Sequence, residues 1–271
     1  MERIAPLRLA ESWDNVGLLL EAPSAHGQHK NGLGAESLLL TIDLTPPVVR
    51  EAIAKCSSVI ISYHPPIFKP LQSLTLSNPL QASILQCIQA GISIYSPHTA
   101  LDSVRGGVND WLAQGLGGGG DNVQAKALQE LDESGAGSGR LLELTESISL
   151  EELVQRAKRH LRVPQVQVAQ PHFQPGDQQL VKSVAICAGS GGSMLNGVEA
   201  DVYFTGEMSH HEVLAAIANE RTVILCGHTN TERGYLNILA KKLVSELAES
   251  KESEKVEVLV SKEDRHPLKF V

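Results

Sequence analysis

Val59-Ile-Ile-Ser62-Tyr63-His64-Pro-Pro-Ile-Phe68 decides how the rest of this chain is read. A β-branched apolar run, the signature of a buried strand, stops at a histidine. Val223-Ile-Leu-Cys226 runs into Gly227-His228-Thr-Asn-Thr-Glu232 in the same way. Between them, Ile92–Tyr95 leads into Ser96-Pro-His98-Thr-Ala-Leu-Asp102. Three strand ends, each offering imidazole or carboxylate, read as a metal site assembled by a folded α/β core.

Working outward, Leu38–Asp43 predicts a strand and Pro47–Lys55 a helix. Leu80–Ala90 and Val108–Leu116 predict further helices. Residues 117–140 are rich in Gly, Ser, Asp and Glu and read as a linker. Beyond it, Ser149-Leu-Glu-Glu152 is a capping box opening a helix through Leu161. Strands are expected at 166–169, 184–188, 202–205 and 256–260. A helix is expected near 208–218, and one long amphipathic helix over 231–247. The alternation gives an α/β fold with a mostly parallel, doubly wound sheet. The expected domains are a first α/β lobe over 1–116, a flexible linker over 117–140 and a second α/β lobe over 141–271. The C-terminal part of the second lobe is available to pack back on the first.

The 271 residues suffice for a substantial core, 42% of them apolar. A net charge of -8 argues against non-specific nucleic-acid binding. No apolar run reaches the roughly 18 residues of a membrane span, and the N-terminus lacks a signal peptide's apolar region, so the cytoplasm is the default location. Cys56, Cys87, Cys187 and Cys226 read as reduced, buried thiols.

His64, His98, Asp102, His228 and Glu232 all fall at strand ends, as do Glu207, His210 and His211. His228 and Glu232 are four apart, as are His98 and Asp102. Imidazole with carboxylate suits a divalent zinc, iron or manganese ion, and a bridged pair of ions activates water. In Gly206-Glu-Met-Ser-His-His-Glu212, Glu207 is a candidate general base and His211 or His210 a proton donor; an exposed helix start explains the same residues. Gly189-Ser-Gly-Gly-Ser-Met194 suits either an anion-holding turn or a tight turn that needs glycine. Trp13-Asp14-Asn15 suits either a cleft lining or a plain turn. His26, His29, His160, His172 and His266 are expected to be solvated.

Together, AESWDNVGLLLE (10–21), SYHPPIF (62–68), SPHTALD (96–102), CAGSGGSML (187–195), TGEMSHHE (205–212) and GHTNTERG (227–234) resemble the Nif-three-like family of dinuclear-metal proteins. Bacterial members of that family are often labelled a second type of GTP cyclohydrolase I; the SYHPPIF and TGEMSHHE forms look most like animal members. The resemblance implies that His64, Asp102, His228 and Glu232 are metal ligands, with Glu232 bridging and His98 close by. It also implies two facing α/β lobes with mostly parallel, mixed sheets and the metal site in the cleft between them, and a homo-oligomer, from dimer to hexamer. Tyr63 stands where bacterial members have a second histidine, and a neutral phenol is a poor ligand, so one or two ions per chain are left open. Against the same resemblance, the N-terminal helix before the WDN segment is expected to be shortened, and the domain that longer relatives insert between the lobes to be reduced to the 117–140 segment.

Two functions follow from these residues and the resemblance. One is a metal-dependent hydrolase acting on a small nucleotide- or pterin-like molecule. The other is a non-enzymatic regulator or adaptor in transcriptional co-repression, with a signalosome subunit as partner and residence in both cytoplasm and nucleus.

Overall fold

The computed structural model describes residues 1–23, 37–119, 123, 125–171, 179–249 and 256–269. The architecture is α/β with mixed sheets, as the alternation of elements predicts. The chain forms two compact units: Met1–Leu101 with Leu236–Arg265, and Asp102–Tyr235 with His266–Val271. These limits differ from the sequence boundaries at 116 and 140.

In the first unit, a five-stranded sheet has the order Gly17–Leu20, Ser93–Ser96, Ser57–Ser62, Ser37–Thr41, Glu257–Val260. The last four run parallel, and Gly17–Leu20 pairs antiparallel with Ser93–Ser96. Continuous apolar runs such as Leu38-Leu-Leu40 and Val59-Ile-Ile61 suit a sheet covered on both faces. The helices Pro46–Ala54 and Pro79–Ala90 supply Val48, Val49, Ala52 and Ile84 to a core with Leu39, Ile60 and Ile94. Pro79–Ala90 is bounded by local chemistry: the Asn78 side chain accepts from Leu80 N and Gln81 N, and Gly91 ends the helix at φ +73°.

In the second unit, a six-stranded sheet has the order Ala125–Lys126, Arg140–Ser149, Leu180–Ser190, Val202–Glu207, Thr222–Leu225, Gln167–Ala169. Leu180–Ser190, Val202–Glu207 and Thr222–Leu225 run parallel, so their carboxyl ends lie side by side. The other junctions are antiparallel, which makes this sheet more mixed than the first.

Three expectations are corrected. The segment 117–140 carries the strands Ala125–Lys126, Gln129–Glu130 and Gly137–Ser138, and it leads into the buried Arg140. Arg140 donates to both carboxylate oxygens of Asp110 and to the carbonyls of Gly137 and Gly139, which ties this stretch down. The long helix expected over 231–247 is broken into Asn230–Arg233 and Leu236–Ala248. A Cβ on Gly234 would lie 2.4 Å from Trp111, and Tyr235 donates its hydroxyl to Gly106 O at 2.7 Å, so the backbone here follows the Trp111 surface instead of the helix axis. At 149–152 only half a capping box forms, because Glu152 turns to Arg156 and Arg159. The complete box is at Ser209 and Glu212.

Candidate metal-binding site

In the first unit, the parallel strands Ser57–Ser62 and Ser93–Ser96 end at His64 and just before His98, so both imidazoles leave the same end of the sheet. Their ring centroids are 5.3 Å apart. Asp43, beyond the end of Ser37–Thr41, accepts from His64 Nδ1 at 2.9 Å. Asp14 accepts from His98 Nδ1 at 2.8 Å, from Thr99 N at 3.1 Å and from Thr99 Oγ1 at 2.6 Å. An ionised carboxylate can only accept, so each Nδ1 carries a proton, and in a neutral ring Nε2 is then the lone-pair nitrogen. The Asp14 side chain is 0% exposed. Burial works to raise its pKa, but the bonds from His98 and Thr99 outweigh burial and hold it below the ordinary aspartate value. Those bonds also hold His98 at φ +27°, a strained value for a residue with a Cβ. Tyr63 is buried, with its ring 5.1 Å from His64 and 5.5 Å from His98.

In the second unit, the three parallel strand ends meet through glycine. A Cβ on Gly206 would lie 2.6 Å from Gly189 O and 2.7 Å from His228 Cα. Gly189 sits at φ +66°, and its Cβ would lie 2.8 Å from Glu232 Oε1 and 2.9 Å from His228 Nε2. Glu207, 57% exposed, accepts from His228 Nδ1 at 2.9 Å. Glu232, 2% exposed, places Oε1 3.3 Å from His228 Nε2. With Nδ1 committed to Glu207, neutral His228 turns a lone pair toward a buried carboxylate. Two acceptors at that distance repel unless a cation lies with them, either a second proton on the ring or a metal ion. This donor pair, and the cradle that any side chain at 189 would fill, fit a divalent metal ion.

The remaining expected residues divide. Asp102 is the first residue of the second unit, in the helix His98–Ser103; its backbone carbonyl accepts from Asn109 Nδ2 at 3.2 Å. Burial first, then the charges of Asp110 and Asp102, push the Tyr235 phenol pKa up. His211 is exposed on the first turn of His210–Ala218, its ring 5.4 Å from that of His210. At 189–194 the tight-turn reading holds. The Gly189 amide is spent on Thr231 Oγ1 at 2.9 Å and the Gly191 amide on Glu207 O at 3.3 Å.

A family model, Duf34/NIF3 (NGG1p interacting factor 3), matches residues 1–267. The chain belongs to the Duf34/NIF3 family. It is 47% identical over 273 residues to Protein NIF3 homolog of Schizosaccharomyces pombe, covering 99% of this chain and 94% of that protein. It is 44% identical over 266 residues to NGG1-interacting factor 3 of Saccharomyces cerevisiae, covering 95% of this chain and 90% of that protein. The crystal structure of a Bacillus cereus protein related to NIF3 superposes with a TM-score of 0.82 at 21% identity, covering 100% of this chain and 96% of the other. That likeness shows a shared fold.

In this NIF3-family chain Asp43 and Asp14 hold the two first-unit histidines; a strand-end position is the only sequence signal for Asp43, whereas the Trp13-Asp14-Asn15 cluster marks Asp14 as either a cleft lining or a turn. His266, expected to be solvated, is half-buried with Nδ1 2.9 Å from Thr229 Oγ1. Burial first, then the charge of Arg233, lowers its pKa; Glu207 and Glu232 pull the other way. His160 is also not solvated: its ring lies 4.3 Å from Trp111, and burial lowers its pKa. His26, His29 and His172 lie outside the described residues. None of the four cysteines is in a disulfide, but Cys56 is exposed, whereas burial pushes the Cys87 pKa up to about 11. Among the described residues, no helix is long and apolar enough to cross a membrane.

Proposed function

We propose that this chain binds divalent zinc, iron or manganese through His228 and Glu232, with His64, His98 and Asp102 as further candidate ligands. One or two ions per chain fit this reading. The supporting observation is the lone pair of His228 turned on the buried Glu232 carboxylate at 3.3 Å. Each of three histidines is oriented at Nδ1 by a carboxylate: His64 by Asp43, His98 by Asp14 and His228 by Glu207. Carboxylate-oriented imidazole is the usual support of a metal ligand.

The activity that suits this donor set is hydrolysis of a small nucleotide- or pterin-like molecule. A bound divalent ion would supply acidified water and polarise the substrate. Glu207 then fixes the tautomer of His228, and the exposed His211 is placed to exchange protons with solvent. The second reading, a transcription-related adaptor in cytoplasm and nucleus with a structural metal, draws on the name of the Saccharomyces cerevisiae relative, NGG1-interacting factor 3. In both readings the chain works as a homo-oligomer, between dimer and hexamer.

Metal content of the purified chain tests the site: at least about one ion per chain is expected, and none in Glu232→Ala. Wild type without metal after loading with zinc, iron and manganese would remove the proposal. Turnover of nucleotide or pterin substrates that disappears in Glu232→Ala selects the hydrolase. Full metal loading with no turnover on any substrate selects the adaptor.

A further inference from the structure

We propose that His266 is a positioning residue for the metal site, a latch that the C-terminal segment closes on the loop carrying His228. The inference rests on the metal reading above. The chain leaves the second unit at Tyr235 and re-enters it at His266. On re-entry, His266 Nδ1 meets Thr229 Oγ1 at 2.9 Å. Thr229 is buried and also accepts from Arg233 Nη1 at 3.1 Å. Arginine can only donate, so the threonine hydroxyl joins two side chains at one oxygen. The other face of the imidazole covers the loop backbone: a Cβ on Gly227, at φ +84°, would lie 2.9 Å from His266 Nε2. Residues 227 and 229 are therefore both pinned by His266, and His228 lies between them.

The His266 bond is made to Thr229, one residue from the proposed ligand, so His266 acts on the direction of His228 through the loop backbone, as outer-shell groups do through a direct bond. Such groups fix a ligand's direction, and their loss typically weakens metal binding by 10–100-fold. An asparagine can reproduce a hydrogen bond at the Nδ1 position, while alanine cannot.

The experiment measures zinc affinity of the full chain by competition with a chromophoric chelator, together with the cobalt(II) absorption spectrum and the melting temperature of the metal-free protein. His266→Ala and Thr229→Val are each expected to weaken zinc binding by about 10-fold or more and to shift the cobalt bands. The double variant is expected to be no weaker than either single one, because both cut the same bond. His266→Asn is expected to restore most of the affinity. If wild type binds zinc and His266→Ala binds it equally well, the latch is refuted while the metal reading stands. A loss of affinity matched by a lower metal-free melting temperature, and not rescued by asparagine, reduces His266 to a packing residue and refutes the latch as well. Wild type that binds neither zinc nor cobalt refutes the metal reading and the latch with it.

Discussion

The two units orient their histidines by different means. In the first, His98 is held by Asp14, a carboxylate with no exposed side-chain surface and four described donors. In the second, His228 is held by Glu207, which is more than half exposed, and precision comes from backbone packed on backbone through Gly189 and Gly206. Buried hydrogen bonds carry a stability cost when broken; an exposed carboxylate does not. Stability and ligand geometry are therefore coupled at Asp14 and separable at Glu207.

The severest test of this contrast is Gly189→Ala. The left-handed φ alone costs about 1–2 kcal/mol, and the new methyl occupies the space in front of Glu232 and His228. Denaturant unfolding is expected to show that loss, and metal analysis an empty site. Normal metal content in this variant would mean that the cradle is not where the ion sits. Next, Asp14→Ala is expected to cost about 2 kcal/mol, because the Thr99 donors and His98 lose their acceptor. Glu207→Gln is expected to stay within about 0.5 kcal/mol of wild type in stability, while metal affinity falls about 10-fold. Equal effects of the two on stability would erase the distinction.

Acid sharpens the comparison further. Asp14 has a folded pKa below its unfolded value of about 3.9, so its contribution is present above that pH and is lost as pH falls through the folded pKa. His160 has a folded pKa below the ordinary value of about 6.5 because burial disfavours its charged form. The unfolded chain takes that proton first, so stability in the second unit declines as pH falls below about 6.5. Hydrogen-exchange protection at about pH 5.5 relative to 7.5 is expected to drop in Val202–Glu207 and to hold in Ser57–Ser62. The smallest effect separates two caps. Ser209→Ala breaks a complete capping box, and Ser149→Ala only half of one, so the first is expected to cost more within a range of about 0.5–2 kcal/mol, read from urea midpoints.

Where a local pattern carried the information, the residues announced it. The apolar runs at 38–41 and 59–61 are strands because both sheet faces are covered, and periodicity sees that directly. His64, His98 and His228 stood out because each ends such a run. The break at Gly234–Tyr235 was invisible, since Trp111 causes it from 123 residues upstream in sequence. The strand Arg140–Ser149 was passed over although Leu142 and Leu144 alternate with exposed Glu143 and Thr145; the glycine-rich run before it drew the reading toward a linker. The Trp13-Asp14-Asn15 cluster leaves two readings open for Asp14 that only its contact with Thr99 separates, and His266 meets Thr229 across a separation that no spacing rule reaches.

The first sheet is closed by its last strand. Glu257–Val260 pairs with Ser37–Thr41, and the neighbouring bond from Ile42 N to Asp264 spans 222 residues. On the ribosome, Ser37–Thr41 therefore emerges early and waits through most of translation with one hydrogen-bonding edge open. That edge is apolar, the sort that recruits other nascent chains. The second unit's parallel strands, all within 180–225, emerge close together and can pair at once. Synthesis rate and chaperone supply should thus govern the yield of this protein through its first unit, although that unit's strands are made earliest.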